Sequence, residues 1–246
     1  MPTTRYRALD PDKIVLTLAT LERRIAERFP GSGLAGVAEE LVAVARETHA
    51  RVAKLSRPNY ALRLLGLAIV VAGLAVLTWV SLGLKAVSAE AEIFNMVQGI
   101  DAGVNLLIVV GAAVFFLVTL EGRLRRAQLL EHLHELRAII HVVDMHQLTK
   151  DPSALLGAGP RTAHSPERTM TPFLLTRYLD YCSELLSLAA KVAALHAQAS
   201  TDTEVIDAVN DLERLTTNLS SKIWQKITLI EGAAAARPVA IVAPTA

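Results

Sequence analysis

One cysteine in 246 residues, Cys182, excludes an intrachain disulfide and any zinc site built on paired thiolates. Its place inside a helical pattern suits a small buried side chain rather than a reactive thiol. Aromatic residues make up only 4% of the chain and the net charge is +1. No Lys/Arg run interleaved with aromatics is present, so no nucleic-acid partner is expected. Charge is missing from two long stretches, Leu64 to Leu84 and Ala102 to Leu120. Proline and glycine are missing between Arg123 and Lys150. Also missing are a phosphate-binding glycine loop, a G-x-S-x-G elbow, a nucleotide fingerprint and carboxylates paired at a catalytic spacing. Gly31-Ser32-Gly33 follows a helical stripe and reads as a turn. No enzyme activity and no cofactor are expected.

Apolar residues, by contrast, are abundant: 52% of the chain, with a mean hydropathy of +0.38 although 20% of residues are charged. That excess must be concentrated in segments. The first long apolar run starts at Leu64, far past the position of a cleavable signal, and none is expected. Each uncharged stretch supplies the roughly 20 residues that a helix needs to cross about 30 Å of hydrocarbon. Two spans, about 64–84 and 102–120, are therefore expected, joined by a short outer loop, 85–101.

Arg51, Lys54, Arg57 and Arg63 precede the first span and Arg123, Arg125 and Arg126 follow the second, whereas the outer loop carries only Lys85 beside Glu90 and Glu92, with Asp101 at its end. Basic residues resist translocation, so both termini are expected in the cytoplasm. Trp79 falls near the outer interface. So short a loop cannot fold into an external ligand-binding domain. Gly99, Gly103 and Gly111 fall with Leu107 at four-residue steps, a smooth face for packing the spans on each other or on a second copy, and Asn105 could hydrogen-bond across helices. A pore or translocation path normally shows ionisable residues inside its spans, and these have none.

The remaining segments read as cytoplasmic helices. Residues 1–58 form a helical hairpin: Ile14, Leu18, Leu21, Ile25 and Phe29 make one stripe, stopping at Pro30-Gly31-Ser32-Gly33. Leu34, Val37, Leu41, Val44, Val52 and Leu55 make the other, ending at a hinge near Arg57-Pro58-Asn59. The second span (hairpin 59–121) continues as a stalk, 122–150. A helix from Ala102 to Thr149 would be about 70 Å long. A loop, 151–171, follows Asp151-Pro152.

Thr171-Pro172 reads as an N-cap with proline at the first helical position. Leu174, Tyr178, Tyr181, Leu185, Leu188, Val192 and Leu195 then alternate by four and three, a coiled-coil spacing. Asp202 or Thr203 opens a second helix with the stripe Val205, Val209, Leu212, Leu219, Ile223, Ile227 and Ile230. The C-terminal hairpin is thus 172–231, ended by Gly232, with an Ala/Pro-rich tail, 232–246, expected to be disordered. The fold class is an all-α membrane protein: a two-helix transmembrane hairpin, cytoplasmic helical hairpins and a long stalk continuing from the second span.

Chemistry concentrates in Glu131 to Pro152, which holds His132, His134, His141 and His146 of the seven histidines, with Asp144. On one helix His141 and Asp144 are about 60° apart, while His146 lies about 140° from His141 and His134 is about 10 Å along the axis. One helix thus offers two good ligands where zinc asks for three, and HExxH is absent, so no metal is expected. His141 and Asp144 are expected as buried polar residues that satisfy each other at i and i+3. Alternatively they form a pH- or ligand-responsive site with His146 and Lys150, to which Arg161, His164 and Arg168 add cationic contacts for an anion.

The expected function is a scaffold or signalling adaptor of a bacterial-type inner membrane, a homo-oligomer in the lipid bilayer that presents a docking surface to a cytoplasmic protein partner. The alternatives are an oligomeric ion- or solute-conducting assembly, or its regulatory subunit, lined by Gly103, Asn105 and Gly111, and lastly an enzyme centred on His141 and Asp144.

Overall fold

The computed structural model describes residues 7–55, 60–84, 92–152, 163–164 and 170–235. Six helices and no strand occur among the described residues: α1 (Pro11–Arg28), α2 (Gly33–Leu55), α3 (Tyr60–Leu84), α4 (Glu92–Leu148), α5 (Pro172–Ala199) and α6 (Thr203–Ala235). They divide into two compact units, one from Met1–Ser56 with Leu129–Ala246 and the other from Arg57–Gln128. The hinge at Arg57-Pro58-Asn59, Lys85 and Glu90 of the outer loop, Arg161 and Arg168 of the 151–171 loop, and the tail from 236 onward lie outside the described residues.

In the first unit the helix ends follow local chemistry. Asp10 caps α1 by accepting from the N–H groups of Asp12 and Lys13, ahead of Pro11. Gly31 supplies the left-handed turn (φ 68°) that reverses the chain into α2, where Ser32 Oγ accepts from Ala35 N–H at 3.2 Å. Thr171 caps α5 through Leu174 N–H at 3.3 Å, and Asp202 caps α6 through Glu204 N–H at 3.0 Å.

The apolar stripe expected on α1 is buried throughout: Ile14, Leu18, Leu21, Ile25 and Phe29. So is the α6 stripe, in which buried Thr216 fills the step between Leu212 and Leu219.

Helix α5 differs from the narrow stripe that its coiled-coil spacing leads one to expect. Leu175, Leu179, Cys182, Leu186, Ala189, Ala193 and His196 are buried besides the four-three stripe, and Leu174 of that stripe is only partly buried. α5 packs against α1, α2 and α6 at once. Small side chains at Cys182, Ala189 and Ala193 let these neighbours approach, so it is a bundle's central helix and not one strand of a coiled coil. Phe29 fixes the α1 end by meeting Tyr178 and Tyr181 edge-on, at centroid distances of 5.2 and 6.2 Å.

In the second unit, α3 and the first half of α4 lie antiparallel. Gly66 faces Leu117, Gly73 faces Val110 and Gly103 faces Leu77. The tight approach is at Gly73, where a Cβ would stand 2.7 Å from Val110 Cγ2. The face of α4 turned inward runs through Gly99, Gly103, Leu106, Val110, Ala113 and Leu117. Two members of the expected smooth face depart from it. Leu107 and Gly111 are exposed, and nothing lies within 4 Å of a Cβ placed at Gly111. The reason is the period: a four-residue step drifts by 40° per turn of helix and leaves the contact within two turns. Asn105 is also exposed and donates from Nδ2 to Asp101 Oδ2, one turn back on its own helix, at 3.3 Å.

Most apolar side chains of this unit stay outside. Leu64, Leu67, Val71, Leu74, Val104, Ile108, Phe115 and Phe116 are all exposed. α4 contains a stretch long and apolar enough to cross a membrane, with mean hydropathy 2.5 and none of it buried. It alone meets that measure among the described residues; the apolar part of α3, Arg63–Trp79, is shorter. Two boundaries move from expectation. α4 already begins at Glu92, inside the expected outer loop, and α6 runs through Gly232 to Ala235.

Candidate functional site

Of the four residues singled out in the stalk, Asp144, His146 and Lys150 each meet a different neighbour, and His141 is exposed. α4 turns Leu133, Leu136, Ile140, Val143 and Gln147 into the core. His141 follows Ile140 by 100° and is exposed. It is therefore not the buried partner of Asp144. Asp144 Oδ1 instead accepts from Gln147 Nε2 at 2.6 Å. His146 lies against the first residue of α2, where a Cβ in place of Gly33 would overlap the imidazole. Lys150 places its ammonium 5.0 Å from the centre of the Tyr178 ring.

The residue that organises this end comes from α6. Lys226 Nζ donates to Gln147 Oε1 at 2.6 Å and to the Gln147 main-chain carbonyl at 2.9 Å. The carbonyls of a helix's last turn have no partner within the helix, and the dipole there favours a cation. Lys226 answers both demands from a neighbouring element. Burial lowers its pKa, while the carboxylates of Asp151 and Asp144 act in the opposite direction. Cys182 beneath it is fully buried, and burial pushes its thiol up to about 12. Burial likewise raises the phenol of Tyr178. At neutral pH this corner holds a thiol rather than a thiolate nucleophile.

A second polar feature joins α4 to α5. His196 is 1% exposed and its ring lies 6.1 Å, centroid to centroid, from that of His132. His196 Nδ1 meets the Val192 carbonyl at 3.2 Å, whereas His196 Nε2 and His132 Nδ1 are buried with no hydrogen-bond partner among the described residues. Burial brings His196 down to about 4. Burial and then Arg51 lower His132, against the opposing carboxylates of Glu135, Glu131 and Glu47. Both rings are thus neutral at pH 7, as the interior requires.

Sequence reasoning missed Gln147, Lys226 and His196. Gln147 stands one residue after His146 in the same segment and could have been found from its place on the Ile140–Val143 face. Lys226 and His196 carried no local signal: each sits beside an apolar stripe like any flanking polar residue. No group of three or more His, Cys, Asp or Glu placed to hold a metal ion occurs among the described residues.

The surface of the bundle bears a groove of about 510 Å³ between α5 and α6, lined by small and polar side chains and by Trp224. Comparison with protein families, with curated proteins and with solved structures returned no match to this chain.

Proposed function

We propose that this chain is a membrane-anchored helical scaffold or adaptor: α3 and the first half of α4 cross the bilayer as a hairpin, and the first unit is a bundle at the cytoplasmic side. The observation that carries the reading is the second unit's exposed apolar surface. Its side chains have nothing to bury against except lipid or another copy, which in water would be a large aggregation hazard. The backbone groups of both helices are satisfied internally, as lipid demands. Arg51 and Arg63 before the hairpin and Arg123, Arg125 and Arg126 after it support the reading of a multi-pass inner-membrane protein with both termini in the cytoplasm.

The docking surface for a cytoplasmic protein partner is the outer face of the stalk, where Val142, Met145 (66% exposed) and Leu148 form an apolar stripe below His141. Native mass spectrometry of the assembly, purified in mild detergent from its membranes, tests this. A stoichiometric partner protein lost from the Met145→Asp variant supports the adaptor reading. An assembly that is identical in both variants removes it.

One observation favours homo-oligomerisation and keeps a conducting assembly as the second reading. Asn105 and Gly111 face away from α3, where a second copy would meet them. Single-channel conductance of purified oligomers, abolished by Asn105→Leu, would decide for it.

A further inference from the structure

His132 on α4 and His196 on α5 bring two imidazoles together from different helices, which no single helix face could do. The Val192 carbonyl can only accept, so the 3.2 Å contact from His196 Nδ1 fixes the ring's hydrogen on Nδ1 and leaves Nε2 a bare lone pair. Anchoring one ring nitrogen to a main-chain carbonyl is how proteins hold a metal-binding histidine in tautomer and orientation. His132 is half-buried and keeps Nδ1 in the interior. A hydrogen on that nitrogen would go unused, so the favoured tautomer carries it on Nε2, and Nδ1 is bare as well. Buried Leu133, Leu136, Val192 and Leu195 flank the two rings along their helices. Two acceptors cannot satisfy each other, and in such surroundings they call for a cation.

We propose that His132 Nδ1 and His196 Nε2 hold one cuprous ion between α4 and α5. The separation of the rings points to this ion. At about 2.0 Å from each nitrogen, an ion lies about 3.2 Å from each ring centre. Two rings on one ion therefore stand at most about 6.4 Å apart, when the ligands are in line, and about 5.2 Å apart at a tetrahedral angle. The ring centres are 6.1 Å apart, close to the linear limit. Cu(I), with its filled d shell, accepts two nitrogen ligands in line, whereas zinc takes four ligands. No set of three or more His, Cys, Asp or Glu is placed to hold an ion among the described residues. Charge selects the same ion. Burial penalises an ion by the square of its charge, so a divalent ion between two neutral rings costs about four times as much as a monovalent one. Arg51 opposes a cation at His132, and the carboxylates of Glu135, Glu131 and Glu47 support one. Bound there, the ion ties the stalk helix to the central helix of the bundle.

The test uses the full chain in detergent micelles, without oxygen, with Cu(I) delivered in competition with a chromophoric cuprous chelator. One ion per chain is expected, and X-ray absorption at the copper edge is expected to show two nitrogen neighbours. His132→Gln and His196→Gln are each expected to lose at least about a hundredfold in affinity, beyond the loss of an outer-shell partner. His134→Gln combined with His141→Gln, both exposed on the stalk, is expected to change nothing. No uptake by the wild-type chain would overturn the proposal and leave a bridging water as the occupant. Four light-atom neighbours around the copper, or uptake that survives both His132→Gln and His196→Gln, would overturn it equally. Uptake and absorption are read on the wild-type chain, so they decide the matter even where His196→Gln fails to fold.

Discussion

Lys226 of α6 holds Gln147 of α4 by both of its acceptors, the side-chain Oε1 at 2.6 Å and the main-chain carbonyl at 2.9 Å. Gln147 is 2% exposed and passes the contact on to Asp144 at 2.6 Å. The stalk helix is thereby closed at its C-terminal end by a cation from a different helix, and the α5–α6 hairpin is tied to the helix that emerges from the apolar unit.

Removing that cation while keeping its aliphatic stem exposes the cost of the tie. Lys226→Met takes from the buried Gln147 amide oxygen its Lys226 donor, while the main-chain carbonyl keeps the Lys150 N–H at 3.1 Å, and is expected to lose about 2 kcal/mol of stability, the range for a hydrogen bond to a charged group. Lys222→Met, exposed on the same helix, is expected to stay within about 0.5 kcal/mol. Chemical denaturation in micelles, followed by circular dichroism, reads both.

The buried imidazole of His196 makes the bundle sensitive to acid. Its folded value of about 4 lies below the ordinary 6.5, so the unfolded chain takes up the proton first. The stability it contributes is complete above about pH 6.5 and is lost as pH falls toward 4. Complete loss amounts to about 3 kcal/mol. Arg51 from α2 adds to the effect and Glu47, Glu131 and Glu135 moderate it through His132. Denaturation midpoints between pH 7 and pH 4.5 are expected to fall, and His196→Gln to flatten the profile. An unchanged slope in the variant would assign the acid sensitivity elsewhere.

Gly73 and Gly111 separate contact from composition. Gly73→Val drives a branched side chain into Val110 and is expected to loosen the α3–α4 hairpin, because the would-be Cβ already stands 2.7 Å from Cγ2. Gly111→Val meets open space and is expected to leave the hairpin intact. Protease resistance of the two variants in micelles compares them, and equal sensitivity would mean that the helices do not meet at Gly73.

Much of this architecture is legible in the residues because one-sided stripes report their own burial. The α1 and α6 stripes were each readable at a period of three and four, and each is buried. The caps at Thr171 and Asp202 were readable for the same local reason, a short side chain placed before a run of helix formers. What was hidden is what depends on more than one neighbour. α5 has an ordinary stripe in sequence, and only packing against three helices reveals why Cys182, Ala189 and Ala193 are small. Asp144 could pair with His141 or Gln147 by spacing alone, each three residues away. The rotation of α4 that buries Ile140 and Gln147, and so turns His141 outward, decided between them. Lys226 lies 79 residues from Gln147, a separation at which sequence pattern carries no pairing information.

Site-directed labelling tests the proposed two-span hairpin of α3 and α4, with both termini on one side of the membrane. With Cys182→Ala as background, single cysteines at Ser88, in the connector between the spans, and at Ser200, in the α5–α6 turn, are treated with a membrane-impermeant maleimide in sealed right-side-out vesicles. Ser88→Cys is expected to react at once and Ser200→Cys only after the vesicles are opened. Equal reaction of both cysteines before opening would contradict it.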